Sequence, residues 1–372
     1  MKVEYSYLRD QFANPEPILN AMREQLARCE FTFGREMVEF ENHFAKYTGA
    51  KYALGVGSGT DALKLSLKAV GVGHGDEVVT VTQTFIATVG AIVELGAIPV
   101  FVDSNDDFSM NVDQVAAAIT PKTRAILPVH YSGHPVDMGK LMKIAGKHNL
   151  PVVEDACCAV SAAINGKHVG NFGQAGGFSL HPLKNLNVWG DGGVIITNSK
   201  AVYDKLILLR NHGLATRDDA EIFGYNSRLD TIQAIVGNYL IEQVEDITNK
   251  RIANASYYDR ELSVSPLKEY VRVPERKKGY RHVYHMYMFY AKRRDGLLKH
   301  LCDAGIEAKV HYPKAMHMQN CCKNYGLKYK LGDFPVAENQ CKNIITLPVH
   351  QHLRPEQLDY VIAKVKEYYT VK

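Results

Sequence analysis

The chain has 372 residues, enough for two domains or for one large domain with an appendage. With 46% hydrophobic and 23% charged residues it has the balance of a folded protein with a large core, which excludes extensive disorder. Its 44 basic and 40 acidic residues leave a net charge of +4, too small and too well mixed for a nucleic-acid surface.

In chain order, Met1 to Asp10 carries charges and no apolar leader, and no apolar run reaches the ~18 residues of a spanning helix, so a cytoplasmic protein is expected. Lys51 to Gly55 reads as a strand entering a Gly-rich turn, and Thr60 to Val70 as a helix with Leu63, Leu67 and Val70 on one face. A strand at Glu77–Val81, a buried helix at Phe85–Leu95, and strands at Ile98–Val102 and Arg124–Val129 follow. Met138–His148 reads as a helix and Val152–Glu154 as a further strand. This alternation predicts a parallel sheet covered on both faces. The rhythm then changes. Gly177–Leu180 and Val194–Thr197 are apolar segments joined without a helix, which predicts a local antiparallel edge. Helices are expected at Ala201–Arg210 and from Thr231 to about Arg260, the latter long enough to bridge two domains. A smaller α+β region begins near Val271 and ends in a helix at Pro355–Tyr368. The expected division is residues 1–247 and 248–372, with the N-terminal segment packing on the smaller domain.

Seven cysteines, two pairs of them adjacent (Cys157/Cys158 and Cys321/Cys322), make a poor disulfide framework and fit a reducing compartment. His311, His317, Cys321 and Cys322 match no standard zinc spacing, and no metal is expected.

Three features carry chemistry. Gly57-Ser58-Gly59-Thr60, between a strand and a helix, offers free amides and hydroxyls to an anion. It is no complete dinucleotide fingerprint, since Thr60 fills the sixth position and no acid ends a strand ~20 residues later. Asp155 closes an apolar strand, at the sheet edge where ligands bind in open α/β folds. Lys184 sits in a loop among apolar residues, Pro182 and glycines; burial there would lower its pKa and free the amine as a nucleophile. An anion cradle, a strand-end acid and a buried lysine together suit pyridoxal phosphate (PLP), which has a phosphate, a pyridine nitrogen and an aldehyde to place.

The motifs Gly57-Ser58-Gly59-Thr60-Asp61-Ala62, Thr84-Phe85-Ile86-Ala87-Thr88, Glu154-Asp155-Ala156 and Phe178-Ser179-Leu180-His181-Pro182-Leu183-Lys184-Asn185-Leu186 add a resemblance. With Leu209–Gly213, Gly224–Leu229, His311-Tyr312-Pro313 and Leu347–His350, they make the chain resemble the DegT/DnrJ/EryC1/StrS sugar aminotransferases over nearly its whole length. The resemblance implies an aspartate aminotransferase fold (PLP fold type I): a large, mostly parallel sheet domain and a smaller C-terminal α+β domain. It implies that Lys184 bonds the cofactor's aldehyde, that Asp155 keeps the ring nitrogen protonated, and that Phe85 stacks on the ring. Gly59, Thr60 and Ser179 would bind the phosphate, and Asn226 would reach the cofactor of a partner subunit, making a homodimer obligatory. His311 and Tyr312 would lie near the mouth of the site. The substrate implied is a keto-sugar, carried on a nucleotide, with glutamate as amino donor, in the synthesis of cell-surface polysaccharide (lipopolysaccharide included) or of secondary-metabolite sugars. Alternatives are a non-nucleotide sugar such as an oxidised 3-deoxy-octulosonate, a PLP-dependent sugar dehydratase, and a catalytically silent relative. The sequence also departs from the family pattern. Cys158 stands where a Gln would hydrogen-bond the cofactor's ring hydroxyl, and Val160 replaces a polar residue. Lys184 is present where the 3-dehydratases carry His, which favours transamination.

Overall fold

Seven short apolar segments build the central sheet: β1 (Tyr52–Val56), β2 (Glu77–Val81), β3 (Ile98–Val102), β4 (Thr123–Leu127), β5 (Val153–Asp155), β6 (Ala175–Ser179) and β7 (Gly193–Thr197). The structure is a computed structural model and describes residues 1–370. The strand order is β3-β2-β4-β5-β6-β7-β1, with two isolated parallel bridges, Ile126 to Val152 and Val129 to Asp155, joining β4 to β5. All these strands run parallel except β7, which is antiparallel to both of its neighbours. The antiparallel element expected at the edge is therefore one strand in from it. β1, from much earlier in the chain, pairs along the open side of β7 and becomes the edge.

Alternation along β7 explains why its run is continuously apolar. Val194 and Ile196 enter the core formed with helices α2 (Arg35–Thr48) and α7 (Thr231–Ile241). Ile195 enters a second core on the opposite face with α3 (Gly59–Ala69) and α6 (Lys200–Arg210). A strand buried on both faces has no polar side.

The long helix expected from Thr231 to about Arg260 is two helices. α7 stops at Ile241 and α8 (Val244–Leu262) begins after Glu242 and Gln243, both exposed and forming a turn between the two helices. Val244 packs in the large-sheet core, whereas Ala255, Tyr258 and Leu262 pack in the C-terminal core. The residues at the expected division thus lie in the first turns of α8.

The C-terminal region is a three-stranded antiparallel sheet of β8 (Val271–Arg272), β9 (Tyr287–Ala291) and β10 (Ile344–Leu347), in the order β8-β9-β10. Helices α9 (Arg294–Asp303) and α11 (Pro355–Thr370) pack against it with α8. Val3 bridges Ile306 in parallel and is buried in this same core. Among the described residues, no helix is long and apolar enough to cross a membrane, and no group of three or more His, Cys, Asp or Glu could hold a metal ion.

Candidate active site

The C-terminal ends of β1, β2, β4, β5 and β6 converge on a cavity of about 250 Å³, the ligand-binding edge of an open α/β sheet. The turn after β1 supplies its first wall. Ser58 caps α3, its Oγ accepting from the Asp61 amide at 3.0 Å. The amides of Gly59 and Thr60 come first in the helix and have no intrahelical acceptor, so the helix presents donors and the positive end of its dipole. Gly59 is required sterically. A Cβ there would meet Ser179 Cβ at 2.6 Å and Cys157 Sγ at 3.1 Å. Ser179, at the end of β6, faces the same cradle.

β5 ends in two consecutive carboxylates. Glu154 is fully buried and accepts four hydrogen bonds: from the amides of Gly170, Phe172 and Gly173, each at 2.7 Å, and from His130 Nε2 at 3.0 Å. His130 Nδ1 accepts from the Val136 amide at 3.1 Å, so the imidazole is neutral and its proton is on Nε2. Asp155 points the other way, into the cavity. Its Oδ2 accepts from Thr88 Oγ1 at 2.7 Å and its Oδ1 from the Cys157 amide at 3.1 Å. Thr88 spends its proton on the carboxylate, so Thr84 Oγ1, 2.7 Å away, donates to Thr88 in turn. Asp155 is 5% exposed, and two hydrogen bonds leave lone pairs free for a ligand.

Lys184 lies in the loop between β6 and β7, a loop pinned by the Leu180 amide on the Gly192 carbonyl and the Val188 amide on the Leu180 carbonyl. Its Nζ is 3.1 Å from Cys158 Sγ and 3.5 Å from His285 Nε2. The expected fall in the lysine's pKa is reversed. Burial disfavours the ammonium, but the Cys158 and Cys157 sulfurs and the Asp155 carboxylate outweigh it and raise the pKa. Burial pushes both thiols up as well. Burial, with Lys184 next in weight, holds His285 far below the usual histidine range, a neutral neighbour to the amine.

Of the sequence-predicted site residues, the fold brings Gly59, Thr60, Phe85, Asp155, Cys158, Ser179, Lys184 and Tyr312 to this one cavity. Phe85 stands at its rim, 53% exposed, with its ring centroid 5.9 Å from that of Tyr312. Cys158 faces the lysine amine. Two residues do not line the cavity. His311 turns to Thr346, Nδ1 to Oγ1 at 3.0 Å, and its carbonyl accepts from the Tyr131 hydroxyl at 2.6 Å. Burial, then Lys309 and Lys184, pushes its pKa down to about 4. Asn226 is exposed and bridges Asn211. Sequence reasoning missed Thr88, Tyr131, Cys157, His181 and Asp191, all of which line the cavity. Thr88 stood inside a quoted motif, and its hydroxyl was the available signal.

A family model, the DegT/DnrJ/EryC1/StrS aminotransferase family, matches residues 14–366. The chain belongs to this family. It is 39% identical over 372 residues, 99% of each chain, to the "pleiotropic regulatory protein" of Geobacillus stearothermophilus. It is 36% identical to the UDP-N-acetyl-3-dehydro-α-D-glucosamine 3-aminotransferase of Acidithiobacillus ferrooxidans, over 98% of this chain and 96% of that one. Among solved structures, Streptomyces venezuelae DesV in complex with a ketimine intermediate superposes with a TM-score of 0.95 at 34% identity, covering 100% of this chain and 99% of that one. NtdA from Bacillus subtilis, with bound cofactor PMP, gives 0.91 at 30% identity over 99% and 85%. The fold is accordingly PLP fold type I, and this family member is a PLP-dependent aminotransferase.

Proposed function

We propose that this enzyme moves an amino group from glutamate to the carbonyl carbon of a keto-sugar carried on a nucleotide, making an amino-sugar for cell-surface or secondary-metabolite synthesis in the cytoplasm. The observation that carries the reading is Lys184 and Asp155 on one cavity with the open N-terminus of α3. The similarity to an aminotransferase of a UDP-linked keto-sugar supports the substrate class, and seven unpaired cysteines support the compartment.

The residues fit the cofactor. Gly59, Thr60 and Ser179 line one side of the cavity, where the free amides at the start of α3 and two hydroxyls suit a phosphate, and the absence of a Cβ at Gly59 lets Ser179 and Cys157 pack close. When bound, PLP supplies a ring that accepts the electron pair left when a Cα proton departs. Asp155 holds the proton on the ring nitrogen, and Thr88 and the Cys157 amide fix the carboxylate for that task. Lys184 would hold the cofactor through its aldehyde between turnovers. Its Nζ, once freed, would take the proton from the donor's Cα and return it to the carbon that had been the aldehyde, and in the second half-reaction would carry a proton in the reverse sense to the sugar carbon. Phe85 would cover the ring from the rim of the cavity, with Tyr312 beside it. Cys158 would offer the ring hydroxyl only a weak donor.

A panel of nucleotide-linked and free keto-sugars, incubated with ¹⁵N-glutamate, tests the reading by mass spectrometry. A labelled amino-sugar with one 2-oxo acid per turnover is expected. Loss of water without label would make the chain a dehydratase. No product from any sugar, with Lys184 still bonded to PLP, would favour a silent regulator of the kind the Geobacillus relative's name suggests.

We propose further that the enzyme is a homodimer with shared sites. Asn226 is exposed and absent from its own cavity, which supports a role across the subunit boundary. Lys184→Ala and Asn226→Asp chains, each inactive, should regain activity on mixing, since one of the two heterodimer sites is then intact. No recovery although both parents fold and dimerise would dismiss the shared site.

A further inference from the structure

The first residues of the chain reach the lysine loop. Val3 adds to the C-terminal domain at Ile306, and the Tyr5 amide donates to Glu307 Oε2 at 2.8 Å. Tyr7, buried, then crosses to the large domain, where its hydroxyl donates to the backbone carbonyl of Lys184 at 2.7 Å. Asn187 Nδ2 donates to the same carbonyl at 3.2 Å. Behind Tyr7 lies Arg251, equally buried, with its guanidinium carbon 4.8 Å from the centre of the Tyr7 ring. Arg251 Nε donates to Gln351 Oε1 at 3.1 Å and Nη1 to the Tyr284 carbonyl at 3.3 Å, and no carboxylate is paired with it among the described residues. The π face of Tyr7 therefore compensates a buried cation. That contact clamps the ring while the hydroxyl holds Lys184. Burial pushes the Tyr7 phenol up, so it remains a donor throughout the working range.

We propose that Tyr7 is a positioning residue for Lys184: a clamp on the lysine's own carbonyl, delivered by the N-terminal segment from the C-terminal domain and braced by Arg251. Lys184 must return to the same point after each proton transfer, and misplacement of a reacting group by about 1 Å can cost on the order of 10²-fold. One hydrogen bond from a distant segment restrains the backbone from which that side chain swings. The proposal rests on Lys184 being the amine that moves the proton.

Tyr7→Phe keeps the ring under Arg251 and removes only the hydroxyl. The expected result is a fall in kcat of roughly 5- to 20-fold, with KM for the amino donor and for the keto-sugar within about twofold. Amide exchange of the Leu180–Val188 peptide, followed by mass spectrometry, should quicken at least about fivefold in this variant while the melting temperature holds. Unchanged kcat or unchanged exchange would overturn the clamp. A double-mutant cycle then locates the effect. In Lys184→Ala supplied with methylamine as the free base, Tyr7→Phe should cost nothing further, because no lysine is left to position. An undiminished cost in that background overturns the proposal while leaving Lys184 its role. Full turnover by Lys184→Ala without added amine would remove the role of Lys184 and the clamp together.

Discussion

Glu154 and Asp155 are consecutive carboxylates on one strand, and the two sides of the sheet edge use them oppositely. On one side Glu154 is saturated by three backbone amides and a neutral histidine, with no direction left in which to bind anything. On the other, Asp155 is held by one hydroxyl and one amide and opens onto the cavity. Burial alone does not distinguish them, since both are almost wholly enclosed. The count of partners does. A buried charge whose partners are complete holds structure, and one whose partners are incomplete awaits a ligand.

The contrast can be broken most forcefully at Lys184, across the cavity from Asp155. Lys184→Ala should lower turnover by on the order of 10⁴-fold while leaving the melting temperature near that of the parent. A large loss of stability instead would make the lysine structural. Glu154→Gln should do the reverse. The new amide hydrogens would face backbone donors, at a cost of about 3 kcal/mol in denaturant unfolding, with kcat per bound cofactor near normal. Turnover lost at full stability would erase the distinction between the two carboxylates. Asp155→Asn keeps the size and removes the charge, and kcat per bound cofactor should fall by on the order of 10²-fold. Cofactor loading should fall less. Near-normal turnover would reduce Asp155 to the cap of a turn. Thr88→Val gives the finest test. It removes one hydrogen bond to Asp155, so kcat should drop by roughly fivefold to tenfold, about 1 kcal/mol, with Glu154 untouched. An effect as large as that of Asp155→Asn would mean that Thr88 contacts the reacting groups itself.

The same contrast shows what the sequence could and could not reveal. The strand carrying both acids was legible as an apolar run with a polar end, and so were the Gly-rich turn and the lysine loop. Each depends on residues within a few positions of one another. Which acid would be saturated was not legible, because the amides that fill Glu154 come from Gly170 to Gly173 and its histidine from position 130. Thr88 reaches Asp155 across 67 positions and Tyr7 reaches Lys184 across 177, separations at which no periodicity speaks. The break between α7 and α8 escaped for a different reason. Its residues, Glu242 and Gln243, are good helix formers, so no breaker in the sequence marks where α7 ends.

The antiparallel return of β7 has one more consequence. Because β7 comes straight back beside β6, Ser179 faces Gly193 across a single strand spacing, and the whole segment that holds Lys184 is a closed hairpin loop. Its two ends pair with each other, while Gly193 also pairs with Val56 and Leu186 and Val188 pack in the large-sheet core. Closing entropy grows only slowly with length, by about 0.6 kcal/mol for each doubling, so the length of the stretch from Leu180 to Gly192 costs little in chain entropy and leaves the order of the strands unchanged. Lys184 is therefore carried between two strands that are neighbours both in the chain and in the sheet, and its position follows from local pairing.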